Sequence, residues 1–162
     1  MSGALEGYRV LELGGSVAVA VLGMLLADQG AQVVKVEPPT GDPLRGHPVF
    51  SVWNRGKMSV VLDHDDSVYR ELSEGLVKTT DILIASDGLE AEAANIGIED
   101  AVDANSGIVY VSLPAFDRGA VAMSSDAWET AVGASTGVYA DRSSDEADGP
   151  SFIALPYVSI FA

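Results

Sequence analysis

The chain predicts an α/β fold: a parallel β-sheet with helices on both faces. Three observations carry that expectation. Short β-rich runs alternate with helical periodicity along the sequence, and this order builds βαβ units whose strands are parallel. Gly14-Gly15, Gly30 and Pro38-Pro39 close successive runs, where a chain must turn. The run Ile82-Leu83-Ile84-Ala85 is continuously apolar, as expected of a strand covered on both sides.

In order, residues 8–13 form a short strand closed by Gly14-Gly15. Ser16 caps a helix over 17–29, and Gly30 ends it. Residues 32–37 form the second strand, stopped by Pro38-Pro39. Asn54-Arg55-Gly56-Lys57 leads into a third strand over 59–63. A helix follows over 65–78, with Val68, Leu72 and Leu76 spaced at i, i+4 to form one apolar face. Residues 81–85 are the fourth strand, 99–104 a short helix and 108–113 the fifth strand. Residues 128–139 are helical, with Gly133 and Gly137 allowing close packing. Residues 1–140 thus read as one Rossmann-like domain, 141–150 as an acidic loop and 151–162 as the start of an apolar element. Ligands bind at the carboxyl ends of such parallel strands, so the edge carrying Gly14, Gly15, Glu37, Pro38 and Lys57 is the candidate site.

Composition narrows the function. A length of 162 residues suits one domain, by the rule of roughly 100–200 residues each. No cysteine is present, which excludes disulfides and thiolate metal sites. The amino terminus does not read as a secretory leader, and the apolar run at 17–27 is shorter than the roughly 20 residues of a bilayer span. The expectation is a soluble cytoplasmic protein. A net charge of −15 argues against nucleic acid and anionic membranes as partners. It reads as a solvated acidic surface of the kind a salt-tolerant host uses. The acidity also sits awkwardly with a polyphosphate ligand, because the lysines are limited to Lys35, Lys57 and Lys78.

Gly14-Gly15 after a strand, with Glu37 closing the next, imitates a dinucleotide site. That chemistry needs three spaced glycines, for the turn, for pyrophosphate approach and for helix packing. Here the turn continues Ser16-Val17-Ala18-Val19, so the later glycines are missing.

The blocks LLADQGAQVVKVEPPTGDPLRG and NRGKMSVVLD together resemble the amino-terminal segment of the family III CoA-transferases. The resemblance implies a CoA site on the same edge. Ser16, Val17 and Ala18 would border the thioester channel, Pro38 would flank the adenine, and Lys57 would lie near the nucleotide phosphates. An ammonium and a helix amino terminus both suit a phosphate. Taken alone, Lys57 could equally be an ordinary surface residue before a strand.

Family transferases use an Asp nucleophile that forms a mixed anhydride and then an aspartyl thioester, both reactive enough to be displaced. The matching run here, Leu155-Pro156-Tyr157-Val158-Ser159, puts Ser159 at that position without an evident activating base. His47 and His64 lie far upstream. In related racemases a His–acid pair moves the proton. The matching residues are Trp128, which cannot take up a proton, and Glu129, which keeps a carboxylate. The segment matching the family's stretch beside bound CoA reads Ala85-Ser86-Asp87-Gly88-Leu89-Glu90, with no cation.

The resemblance therefore implies CoA transfer between an acyl-CoA and a carboxylic acid. No metal or permanent cofactor is implied. The chain itself is expected to be a fragment or a catalytically degenerate half. The alternatives are a structural, partner-binding CoA-transferase-like subunit and, disfavoured by Trp128, a 2-methylacyl-CoA racemase. Family members form interlocked dimers, and the apolar 151–162 segment calls for a covering surface, so a homodimer or partner chain is expected.

Overall fold

The structure is a computed structural model and describes residues 3–63, 65–86, 98–114, 128–139 and 160. Its strands are β1 (Arg9–Leu13), β2 (Gln32–Glu37), β3 (Met58–Val61), β4 (Ile82–Ala85) and β5 (Val109–Ser112). All pair in parallel, in the order β3-β2-β1-β4-β5. The helices are α1 (Val17–Asp28), α2 (Phe50–Trp53), α3 (Tyr69–Lys78), α4 (Ile98–Ala104) and α5 (Trp128–Ser135), with a 3-10 turn at Pro43–Gly46. The chain divides into two compact units, Met1–Pro114 and Ala115–Ala162, and the whole sheet lies in the first. In the second unit, Tyr139 packs on Gly133, where an added Cβ would lie 2.6 Å from the ring.

Helix α1 starts at Ser16, whose side chain accepts a hydrogen bond from the Val19 amide. It stops at Gln29, and Gly30 turns the chain at φ +97°. The helix has no polar face because it has two packed sides. Val19 meets Val10, Val33 and Ile84 of the sheet, while Ala20 and Val21 meet Trp53 of α2. On the opposite sheet face, Leu11, Leu13, Leu83 and Ala85 close against Val77 of α3 and Ala101 of α4.

Helix α3 departs from expectation. It begins at Tyr69 rather than at 65, and the buried row is Tyr69, Ser73 and Val77. Leu76 packs beside this row, whereas Val68 and Leu72 are exposed, at 45% and 50%. The cause is Ser73. Its hydroxyl donates to the Arg70 carbonyl, so a polar side chain can sit inside, and the i, i+4 pattern shifts by one position.

Candidate functional site

Side chains two apart on a strand share a face. Register pairs Glu12 with Lys35 and Lys35 with Ser59. The α1 face of the sheet therefore carries Val10 and Glu12, then Val33, Lys35 and Glu37, then Ser59. Its amino half is apolar and its carboxyl half is charged. Glu12, Lys35 and Glu37 are each at most 2% exposed.

These charges form a continuous network. Lys35 Nζ donates to Glu12 Oε1 at 2.8 Å and to the Gly14 carbonyl at 3.1 Å, and lies 2.6 Å from Asp42 Oδ2. Lys57 Nζ lies 2.8 Å from Glu12 Oε2 and donates to the Ala20 carbonyl and Asn54 Oδ1. Charge proximity rather than a well-aligned hydrogen bond holds Glu12 Oε2 and Asp42 Oδ2. Glu37 takes a two-pronged contact from Arg45, at 2.7 and 2.8 Å, with further hydrogen bonds from the Ser59 hydroxyl and the Asp42 amide. Three carboxylates (Glu12, Glu37, Asp42) thus meet three cations (Lys35, Arg45, Lys57), and the cluster is neutral.

Burial acts against the charges of Lys35, Lys57 and Glu37, but the outcomes differ. For Lys35, burial is outweighed by Glu12 and Asp42, which hold its pKa above the usual lysine value. For Lys57, burial prevails over the help of Glu12, and its pKa is lowered. Burial also opposes ionisation of Glu37. Hydrogen bonds from Arg45, Ser59 and the Asp42 amide overcome it and bring the carboxyl to about 2.

Two glycines let this edge close. Gly23 lies directly over the Glu12–Lys57 pair, and a Cβ there would come within 2.0 Å of Glu12 Oε2. Gly15 faces the loop after β2, and its Cβ would lie 2.6 Å from Pro43 Cγ. The turn after β1 and the loop after β2 therefore touch.

Ser16, Val17, Ala18 and Pro38 all lie at this edge. Ser16 is the buried cap, Val17 and Ala18 are half-buried in the first turn, and Pro38 is exposed just beyond β2. By helix geometry the first amides of α1 have no acceptor within the helix, which leaves a positive end facing the edge. Lys57 is not on the surface. Its side chain is 2% exposed beneath α1, with its ammonium held by Glu12, Asn54 and the Ala20 carbonyl. Glu129 is the second residue of α5, in the second unit. Ser159 lies outside the described residues, as do 87–90, while Ala85 and Ser86 are buried at the end of β4. Among the described residues no group of three or more His, Cys, Asp or Glu could hold a metal ion. No described helix is long and apolar enough to cross a membrane.

Sequence reasoning passed over Glu12, Lys35, Asp42 and Arg45. A signal was present for the first two, because each is a charge in the middle of a strand whose faces are both covered. Such charges are buried only in company.

Residues 5–162 match the sequence profile described as CoA-transferase family III. The chain belongs to that family. It is 35% identical over 128 residues to a succinyl-CoA:mesaconate CoA-transferase of Haloarcula hispanica, covering 70% of this chain and 32% of the relative. It is 31% identical over 154 residues to a bile acid CoA-transferase of Clostridium scindens, covering 93% of this chain and 31% of the relative. The crystal structure of a CAIB/BAIF family protein from Brucella suis superposes with a TM-score of 0.80 at 27% identity, over 99% of this chain and 46% of that one. The chain thus spans about a third of the length of these curated relatives.

Proposed function

We propose that this chain forms the CoA-facing edge of an enzyme that moves CoA from an acyl-CoA donor to a carboxylic acid acceptor. One observation carries the reading. In a chain of this family, the Ser16-capped start of α1 and the loop after Pro38 meet at the carboxyl ends of β1 and β2. In this reading Ser16, Val17 and Ala18 line the path of the thioester arm and Pro38 flanks the adenine. The CoA thioester is a substrate, not a resident group, and the setting is cytoplasmic. Lys57 backs the edge from beneath α1. With its charge balanced by Glu12, Lys57 offers CoA no unpaired charge, so binding is weak. Ser159 stands at the position of the nucleophilic carboxylate and cannot form a mixed anhydride. Glu129 alone does not replace it.

The test has two arms. Acyl-CoA donors and carboxylate acceptors are incubated with the chain, and products and protein are weighed by mass spectrometry. No transfer and no acyl adduct on the protein are expected. Calorimetry with CoA at low salt should give a Kd near millimolar, about −4 kcal/mol. Enzyme-dependent transfer, an acyl adduct or low-micromolar binding overturns this account of the edge.

A second reading, a structural subunit that supports a second copy or a partner chain, is favoured by the neutrality of the edge cluster. Leu25 on α1 and Val52 on α2 are also half-exposed. A folded chain that binds no CoA and is not monomeric by light scattering favours this second reading.

A further inference from the structure

We infer that Lys35 is a positioning residue: a buried latch that fixes the 38–47 loop across the Gly14-Gly15 turn and so sets the opening of the edge. The link to function rests on the CoA reading above, but the latch rests on geometry alone. One nitrogen touches three separate parts of the chain. It meets Glu12 of β1 at 2.8 Å, the Gly14 carbonyl of the turn at 3.1 Å and Asp42 of the loop at 2.6 Å. Lys35 is 1% exposed and Asp42 5%, so this contact is insulated from solvent.

The energetics favour a docked loop. Glu12 divides its two oxygens between Lys35 and Lys57, so it cannot neutralise both. Asp42 supplies the missing negative charge. If the loop lifts, an ammonium is left in the interior without its counter-charge, which is costly unless water enters. Docking also organises the loop itself. The second oxygen of Asp42 accepts the Leu44 amide at 2.6 Å and starts the 3-10 turn, and Pro43 then lies against Gly15. A second mooring, Arg45 to Glu37, sits at the rim, where the Arg45 side chain is 52% exposed and open to screening by salt. The inner contact is therefore the one that holds, and the rim contact assists it.

The test is amide hydrogen exchange followed by mass spectrometry on Asp42→Asn. This change keeps a side-chain oxygen for the Leu44 amide and puts a neutral amide nitrogen in place of the charged oxygen that faces Lys35. Exchange in 38–47 should rise about ten- to a hundredfold, as for the loss of one close contact to a buried charge, while β1 and β4 keep their protection. Equal change in loop and sheet, or no change, overturns the latch. The unmodified chain gives a second measure that needs no variant. Salt at about 1 M, where the screening length is about 3 Å, should raise exchange in 38–47 far less than Asp42→Asn does. Opening of the loop by salt as large as in the variant would assign the hold to Arg45 and Glu37 and reject Lys35. Calorimetry on the same samples separates the two readings. A parent chain that binds no CoA counts against the CoA edge, and the exchange data still decide the latch. Binding by the parent that weakens in Asp42→Asn along with loop opening supports both.

Discussion

On the α3–α4 side of the sheet, Leu11, Leu13, Leu83 and Ala85 pack against Val77 and Ala101. On the α1 side, the same β1 strand and its neighbour β2 bury Glu12, Lys35 and Glu37. Both sets of residues are buried, but by different physics. Apolar burial returns about 25 cal/mol per Å² and needs only approximate shape to do so. A buried ion network roughly breaks even against hydrophobic replacements, because desolvation cancels most of the attraction. The apolar side therefore supplies stability. The charged side supplies directional contacts that fix the turn after β1, the loop after β2 and the start of α1 relative to one another. The charges gather at the carboxyl ends of the strands, and the amino half of that same face is apolar.

Breaking the charged side by one member should give the largest effect. Glu12→Ala leaves Lys35 with Asp42 alone and strips Lys57 of its carboxylate. A loss of about 3–5 kcal/mol is expected, read as the shift in urea midpoint at unchanged m-value. Replacing the set together, with Glu12→Leu, Lys35→Met, Asp42→Leu and Lys57→Met, should cost little or even stabilise the chain. If the quadruple variant loses as much as the single one, the charged side does contribute net stability and the contrast between the faces fails.

Acid should sharpen the same contrast. The Glu37 carboxyl lies at about 2, below the usual 4.5. Its contribution is therefore fully present above about pH 4.5 and is lost as pH falls from there through about 2. Glu37→Gln should cost about 1–3 kcal/mol at neutral pH and flatten the acid limb of the stability curve across that window. The apolar face has no such pH dependence. An acid limb as steep in Glu37→Gln as in the parent would assign it to other carboxylates.

Much of the sheet was legible because strand runs, turn residues and the Ser16 and Gly30 helix limits are local signals. The edge was legible as a place, from the rule that ligands bind at parallel strand ends. Its network was not. Glu12 and Lys35 become neighbours only through the β1–β2 register. Asp42 joins them only because Gly15 admits Pro43. Lys57 reads as a phosphate partner or a surface lysine, and its pairing with Glu12 under α1 depends on the room that Gly23 leaves. Such contacts depend on tertiary packing, which spacing along the chain does not record.

The smallest expected effect returns to the apolar side, at α3. Spacing pointed to Val68, Leu72 and Leu76 as the inward row, yet Leu72 is 50% exposed and Val77 only 2%. A half-exposed leucine on a helix surface contributes little area, and alanine is at least as good a helix former. Leu72→Ala should therefore change stability by no more than about 0.5 kcal/mol. Val77→Ala removes two methyl groups from contact with the Leu11–Leu83 cluster and should cost about 1.5–3 kcal/mol. The pair reports which row faces the sheet, because both are exchanges to alanine on one helix. Thr79 and Thr80, which follow the helix, hydrogen-bond to the Leu76 carbonyl in either case, so the end of the helix is held constant. If Leu72→Ala proved the more costly change, α3 would be rotated from the orientation described, and the simple i, i+4 reading of the sequence would be right after all.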